Sequence, residues 1–177
     1  MNANFKTSAA AILALLVSIP TVGLQRSTPL ETVYDLQKDV TTERLPFSRI
    51  SGEKGLYYSL DFSIYYTYSG RTKHVPGFVN FELISVVKAR KLNSDLYVVF
   101  IVDGEPMHFG SNRSAIANPV TGRTWVGERM IFNIPLEKFE KLAGAKELAI
   151  KMGGTLFPLS DEARESLRAF ATEAQKQ

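Results

Sequence analysis

YYSLDFSIYYTYSGRTKHVPGFVNFELISVVKARKLNSDLYVVFIV, residues 57–102, is the stretch that decides the fold of this 177-residue chain. Its first part, Tyr57 to Tyr68, alternates between two sets of side chains. The apolar and aromatic set is Tyr58, Leu60, Phe62, Ile64, Tyr66 and Tyr68. The more polar set is Tyr57, Ser59, Asp61, Ser63, Tyr65 and Thr67. Because residues two apart share a face of a strand, the pattern predicts a long strand with one buried face.

Two further strands are predicted within the same stretch. Phe78 to Lys88 alternates in the same way. Its apolar face holds Val79, Phe81, Leu83 and Val87, and its polar face holds Asn80, Glu82 and Lys88. Leu96 to Val102 is apolar on both faces, which is typical of a central strand. Asp103-Gly104 then follows, and this dipeptide between apolar runs is a strong hairpin signal.

The remaining C-terminal sequence adds short strands and two helices. Thr124 to Ile134 alternates as a strand, and Pro135 opens a short helix, where its missing N–H does no harm. Gly153-Gly154 joins two short strands into a hairpin. Ser160 is placed to cap a final helix. The apolar stripe of that helix is Ala163, Leu167, Phe170 and Ala174.

This succession of strands predicts a mainly β fold. We expect an antiparallel two-sheet sandwich or a partly open barrel, with one short helix and a C-terminal helix. The expected organisation is an extended N-terminal segment over residues 24–50 and a β-sandwich domain over residues 51–177. Gly110 to Arg123 has no periodicity and is rich in loop formers, so it is predicted to be a long loop.

Residues 1–23 predict a secretory signal peptide. Lys6 precedes an apolar run from Ala9 to Ile19, Pro20 ends that run, and small residues follow it up to Gly23. A run of this length is too short to cross the bilayer comfortably as a permanent helix. We expect a cleaved signal and a periplasmic or secreted protein. An uncleaved membrane anchor and a soluble amphipathic segment are the alternatives.

Charge and cysteine content exclude several classes of partner and site. The chain has 21 Lys and Arg against 18 Asp and Glu, a net charge of +3, and no basic stripe that would follow nucleic-acid phosphates. Nucleic acid is therefore not an expected partner, and membrane contact is expected only if the signal stays uncleaved. Because cysteine is absent, disulfides, thiolate catalysis and thiolate zinc sites are excluded.

Histidine chemistry gives the enzymatic alternative. His108 follows Asp103 and Glu105 closely in sequence, and the alternative function is a hydrolase with His108 as its base. No Gly-x-Ser-x-Gly elbow accompanies it, so a catalytic site has no sequence signature. The methionines fit core positions better than a copper site. We therefore expect no catalytic residue, no metal and no cofactor.

Exposed aromatic residues give the candidate contact surface. Tyr57, Tyr65 and Trp125 fall on the more polar faces of their strands, where aromatic rings can contact a sugar or a protein partner. Trp125 lies close to Arg123 and shares its strand face with Arg129. Tryptophan and arginine dominate binding hot spots, so this group is the best predicted contact site.

His108 and Arg113 are secondary candidates for the same contact site. The predicted loop from Gly110 to Arg123 directly precedes Trp125. Binding residues concentrate on loops that a rigid sheet holds in place. The alternative is that Trp125 is covered by the protein's own loop or terminal helix.

The C-terminal quarter resembles the tail of exported bacterial β-sandwich proteins of unassigned activity. The residues that carry the resemblance are Phe132-Asn133-Ile134-Pro135-Leu136, Leu142-Ala143-Gly144-Ala145-Lys146, Ile150-Lys151-Met152-Gly153-Gly154, Leu167 and Phe170. In those proteins a strand, a short helix, a strand and a closing helix recur. The resemblance implies the fold and an exported location, and it implies no catalytic residue.

These observations together predict an exported, non-catalytic binding or interaction module of the bacterial envelope. Its partner is expected to be a protein, a glycan or a small ligand. The alternatives are the hydrolase with a histidine base and a membrane-tethered envelope protein.

Overall fold

The computed structural model of the chain describes residues 30–51, 54, 57–87, 97–116 and 126–176. The signal peptide predicted for residues 1–23 lies outside these ranges. The N-terminal strands are β1 Glu31–Asp35, β2 Val40–Ser51, β3 Tyr57–Ser69 and β4 Phe78–Val87. They are followed by β5 Val98–Val102, β6 Glu105–Met107, β7 Ser111–Ile116 and β8 Val126–Pro135. The C-terminal elements are α1 Leu136–Ala143, β9 Leu148–Met152, β10 Thr155–Pro158 and α2 Asp161–Ala174.

The strands form two antiparallel sheets that pack face to face. The six-stranded sheet has the order β1-β2-β3-β4-β8-β7, and the four-stranded sheet has the order β10-β9-β5-β6. The mainly β, sandwich-like prediction is confirmed, and the strands do not close into a barrel. None of the helices in the described part of the chain is long and apolar enough to span a membrane.

The predicted alternation places the core between the two sheets. Phe62 of β3 stacks on Phe81 of β4, with ring centroids 5.5 Å apart, and both side chains are fully buried. Phe81 in turn meets Phe100 of β5 edge-on at 5.1 Å, and Phe100 meets Phe132 of β8 at 5.2 Å. These rings join the two sheets. Burying each such side chain contributes roughly 1.5–3 kcal/mol.

A proline in β2 interrupts the ladder between β2 and β3. The pairing shifts register between Leu45 and Ser48, on either side of Pro46, which has no N–H to donate. At this interruption the hydroxyl of Ser63 in β3 donates a hydrogen bond to the Leu45 carbonyl oxygen at 2.7 Å. Ser63 was expected on the more polar face of its strand, and it does lie opposite the core residues. It is nevertheless fully buried.

Tyr57 corrects one expectation about exposed aromatic residues. The sequence placed it on the polar face of the first long strand, but only 3% of it is exposed. The register of β3 against β4 shifts between Tyr57 and Ser59, so strict alternation fails there. The Tyr57 ring packs edge-on against Phe157 of β10 at 5.2 Å. Tyr57 therefore belongs to the core and not to a contact surface.

The long loop predicted from Gly110 to Arg123 is wrong for its first part. Ser111 to Ile116 is strand β7, which pairs antiparallel with β8 at the edge of the six-stranded sheet. Residues 111–116 lack the alternation of apolar and polar residues that is typical of a strand, so their sequence predicts no strand. The backbone pairing with β8 identifies them as one. Residues 117–123 lie outside the described ranges.

The six-stranded sheet also begins earlier than the domain boundary expected at residue 51. Glu31 to Asp35 pairs with Val40 to Arg44 as an antiparallel hairpin, and β2 continues onto β3. The polar, mixed composition of this segment left open whether residues 32–36 are an edge strand or a helical turn, and it suggested only residues 47–50 as a strand pairing with β3. Polar side chains suit β1 because it lies at the edge of the sheet, where much of the surface meets solvent.

The helices follow the sequence prediction closely. Phe139, Leu142 and Ala143 are the buried residues of α1. Helix α2 is capped by Ser160, whose hydroxyl accepts the N–H of Ala163 at 3.2 Å. All four residues of its predicted apolar stripe are buried, and the stripe faces α1 and the sheet.

Both edges of the four-stranded sheet contain a proline. Strand β6 is three residues long with Pro106 at its centre, and β10 is four residues long and ends at Pro158. Short strands and prolines are common ways of blocking an exposed sheet edge.

Candidate functional site

The outer face of the six-stranded sheet, turned away from the core, carries one concentrated group of charges. On β4, Phe81 and Leu83 point into the core, so Glu82 between them lies on the outer face. Arg129 of β8 lies opposite Ile84 of β4 in the ladder. Ile84 shares the outer face with Glu82, so Arg129 lies on that face as well. Together with Arg44 of β2 and Tyr65 of β3, these residues form what we call the Glu82 cluster: Arg44, Tyr65, Glu82 and Arg129.

Glu82 is buried although it lies on the outer face. Only 3% of its side chain is exposed, whereas 33% of the Arg44 side chain and 38% of the Arg129 side chain are exposed. The Nε of Arg129 donates to Oε1 of Glu82 at 2.5 Å, and Nη2 of Arg44 lies 3.7 Å from Oε2. A carboxylate is costly to bury unless it is paired, and here two guanidinium groups compensate that cost.

Aromatic rings hold the Arg44 guanidinium in place. Its central carbon lies 5.0 Å from the centroid of the Tyr65 ring and 5.9 Å from that of Phe47. Both distances are within the range of cation–π attraction. Burial raises the pKa of the Tyr65 hydroxyl, Glu82 raises it further, and Arg129 and Arg44 oppose the shift. Tyr65 therefore lies within the electrostatic field of the whole cluster.

The hydrogen-bonding capacity of the cluster is only partly used. Nε of Arg44 and Oε2 of Glu82 are both buried, and neither has a hydrogen-bond partner among the residues that the structure describes. Arg129 makes its hydrogen bond through Nε, and none of the described side chains accepts a hydrogen bond from its two terminal amino groups. The hydrogen bond with Glu82 raises the pKa of Arg129, so this guanidinium stays charged. Two positive groups and one negative group leave the cluster with one surplus positive charge.

The structure places the residues predicted from sequence in different parts of the fold. Arg129 lies in the Glu82 cluster. His108 follows β6 of the four-stranded sheet and is exposed. Arg113 lies on β7, opposite Met130 of β8, and its side chain lies outside the described set. Arg123 and Trp125 also fall outside the described ranges.

The histidine-based alternative gains no support from the geometry around His108. Among the described residues, no hydrogen bond joins His108 to a serine or a carboxylate. Asp103, one of the proposed partners, uses its Oδ1 to accept the backbone N–H groups of Lys146 and Glu147, each at 2.8 Å. In the described ranges, no three His, Asp or Glu side chains gather in a group that could hold a metal ion.

A small cleft lies between β2 and the start of α2, away from the predicted site residues. It has a volume of about 200 Å³ and is lined by Ser48, Arg49, Ser160, Glu162, Ala163 and Ser166. The one guanidinium in this lining, that of Arg49, already pairs with Asp61, with Nε 2.8 Å from Oδ1. The hydroxyl of Ser160 is likewise engaged in capping α2. The cleft therefore offers few unused polar groups to a ligand.

Sequence reasoning found Arg129 but missed Arg44 and Glu82. The Arg129 and Glu82 positions are 47 residues apart in the chain, and only the pairing of β4 with β8 brings them together. One signal was present: Glu82 is an acid at the centre of a long apolar strand. Such a residue requires a compensating cation from a neighbouring strand.

A scan against protein-family models and searches of curated proteins and of solved structures gave no match for this chain. The resemblance of the C-terminal quarter to exported β-sandwich proteins therefore stays a prediction.

Proposed function

We propose that this chain is a non-catalytic binding module that is exported to the bacterial periplasm or cell exterior. It contacts its partner, a protein, a glycan or a small ligand, through the outer face of the six-stranded sheet around Arg129. The observation that carries this proposal is the Glu82 cluster: a buried carboxylate fixes Arg129 at a partly exposed position, and its terminal amino groups donate to none of the described side chains.

The cluster is difficult to explain by stability alone. A buried ion pair often contributes no more to stability than apolar residues of the same volume would. A single arginine would also neutralise Glu82. The second guanidinium adds a desolvation cost and leaves surplus charge on the surface. Rigid charged and aromatic groups on a sheet face are instead well suited to recognise a partner.

The strand order supports the location of the contact surface. Arg129 lies in β8, the strand that begins just after Trp125 in the sequence, and Asn133 continues the same outer face. Asn133 donates to Asn80 at 3.1 Å, and this pair is exposed. The outer face thus presents arginines, amides and an aromatic ring on a rigid ladder, which are the residue types that dominate protein and glycan contacts.

The test of this proposal is retention of envelope components on the immobilised protein. We expect the wild type to retain a partner from an envelope extract, and we expect Arg129→Gln to lose most of that retention. Lys151→Gln is the matched control, since it removes one positive charge from an exposed position of β9, in the other sheet and outside the proposed contact face. Circular dichroism confirms that each variant is folded at the assay temperature. Equal retention by the wild type and Arg129→Gln would exclude this surface.

Export is tested by the intact mass of the protein recovered from the envelope fraction. We expect a chain that has lost roughly the first 23 residues, as the signal-peptide pattern predicts. A species that retains Met1 or Asn2 would support the membrane-tethered alternative instead.

A further inference from the structure

We infer that the Glu82 cluster is an oxyanion site, which takes a carboxylate or phosphate group of the partner. This inference rests on the proposed function and specifies the chemistry of its contact. The charge of the cluster is the first argument. Arg44 and Arg129 share one acid, Glu82, so that one positive charge has no counter-ion among the described residues. An anionic group is the ligand that completes the charge balance.

The geometry of Arg129 is the second argument. Its Nε is occupied by Oε1 of Glu82, which fixes the plane of the guanidinium. The edge formed by its two terminal amino groups stays available. That edge matches the spacing of two oxygens of a carboxylate or phosphate, and such paired, charge-assisted hydrogen bonds are strong. Because Glu82 holds the arginine in advance, little side-chain entropy is lost on binding.

Arg44 contributes from the other side of the same carboxylate. Its guanidinium lies over the Tyr65 ring and within 3.7 Å of Oε2 of Glu82. Both arginines therefore lie beside the same carboxylate, and the charge of Arg44 adds to the attraction for an anion at the terminal edge of Arg129. Apolar and aromatic side chains nearby lower the local polarity, which strengthens this attraction relative to open water.

Three arginines elsewhere in the fold differ from those of the Glu82 cluster, because each of them has an acid of its own. Arg49 pairs with Asp61, Arg164 with Asp161, and Arg168 with Glu165. Each of these pairs is neutral. Arg49 lies on β2 of the same sheet, and it is therefore a suitable control for non-specific attraction of anions to this face.

The experiment measures the affinity of the full chain for two defined probes by calorimetry. The probes are inorganic phosphate and a short oligogalacturonate, and chloride at matched ionic strength is the reference. We expect at least one probe to bind and its affinity to fall with added salt, as screening requires. Preference for phosphate would indicate a phosphorylated partner, and preference for oligogalacturonate would indicate a carboxylated glycan.

Two variants test the assigned residues. Arg129→Lys keeps the charge and loses the planar fork, so we expect the affinity to fall on the order of tenfold. Arg49→Lys should leave the affinity unchanged. The double variant Glu82→Met/Arg129→Met guards against misfolding, because it replaces the ion pair by apolar side chains of similar size. In this double variant the net charge of the cluster remains +1, from Arg44. It should nevertheless lose binding, because the Arg129 guanidinium that Glu82 held in place is gone.

The outcomes separate this inference from the proposed function. If neither probe binds, or if Arg129→Lys and Arg49→Lys weaken binding equally, the oxyanion site is wrong. If the wild type retains an envelope partner through Arg129 and neither probe competes with that partner, the proposed contact surface is supported and the oxyanion site is refuted. If no partner is retained and no probe binds, both proposals fail.

Discussion

Phe170 of α2 lies edge-on against Tyr66 of β3, with the two ring centroids 5.7 Å apart. Phe170 also meets Phe139 of α1 at 5.8 Å, so one side chain ties both helices to the six-stranded sheet. All three rings are almost completely buried. The C-terminal helix is therefore part of the core, and its attachment depends on a small number of aromatic contacts.

Replacing Phe170 should detach the C-terminal helix. We expect Phe170→Ala to lower the free energy of unfolding by about 3–5 kcal/mol, as truncation of a buried aromatic does. Chemical denaturation, monitored by far-ultraviolet circular dichroism of the backbone, measures the change. Thr172→Ala, at an exposed position of the same helix, is the control and should change stability by less than about 0.5 kcal/mol. Similar losses for both variants would contradict the packing described for α2.

Phe62 and Ser63 test the register of β3. Phe62→Ala should cost about 3–5 kcal/mol, because it removes a ring stacked in the centre of the core. Ser63→Ala should cost about 1–2 kcal/mol, since it removes the buried hydrogen bond to the Leu45 carbonyl group. Both losses of stability are measured from the denaturant midpoints of the two variants, with the slopes of their unfolding transitions equal to that of the wild type. A Ser63→Ala protein as stable as the wild type would show that this hydrogen bond is not formed.

Asp103 should stabilise the connection between the β5–β6 hairpin and β9. Its Oδ1 accepts two backbone N–H groups at 2.8 Å, and its φ of 50° lies in the left-handed region. Asp103→Ala loses both hydrogen bonds and strains the turn, so we expect a cost of about 1–3 kcal/mol. Asp103→Asn retains an acceptor oxygen and tolerates this backbone conformation, and it should cost clearly less. The melting temperatures of the two variants, measured beside the wild type, give the two losses of stability.

Lys73 and Glu173 should make stability depend on pH. Hydrogen bonds from Lys176 and from Lys73 lower the pKa of Glu173 below its ordinary value of 4.5. The unfolded state therefore binds the proton more readily, and the stabilisation is present above about pH 4.5 and is lost as the pH falls through the lower pKa of the folded state.

The same pair acts in the opposite direction at high pH. Burial lowers the pKa of Lys73, but the hydrogen bond to Glu173 and the nearby Tyr66 hydroxyl outweigh it and raise the pKa above its ordinary value of 10.5. That contribution is complete below about pH 10.5 and is lost as the pH rises through the raised value. Urea denaturation of the wild type and Glu173→Gln across this range measures both effects. The difference between the two proteins should be largest near neutrality and should vanish in acid.

The strands with strict alternation could be predicted from the sequence because one face of each packs in the core. The apolar faces of β3 from Leu60 to Tyr66 and of β4, and the stripe of α2, are buried as expected. Strand β7 could not be predicted, because residues 111–116 show no alternation of apolar and polar residues and only the pairing with β8 identifies them as a strand. The displacement of Tyr57 depends on a bulge, which alternation cannot signal. The division into sheets of six and four strands depends on long-range pairing as well.

The candidate site was predictable only in part for the same physical reason. Arg129 was singled out because it shares a strand face with Trp125, which is a local property. Its interaction with Glu82 depends on the register of two strands that are far apart in sequence, and the approach of Arg44 crosses a third strand. Charge compensation between distant strands leaves no periodic pattern in a single sequence.

The prolines at the edges of the four-stranded sheet have a consequence for self-association. A fibril grows when a strand from another molecule adds to an open edge and continues the backbone ladder. Pro106 in β6 and Pro158 in β10 offer no N–H at these edges, so each added strand would meet a missing hydrogen bond. At high concentration the native protein is thereby protected from ordered aggregation through this sheet, without any disulfide to fix its edges.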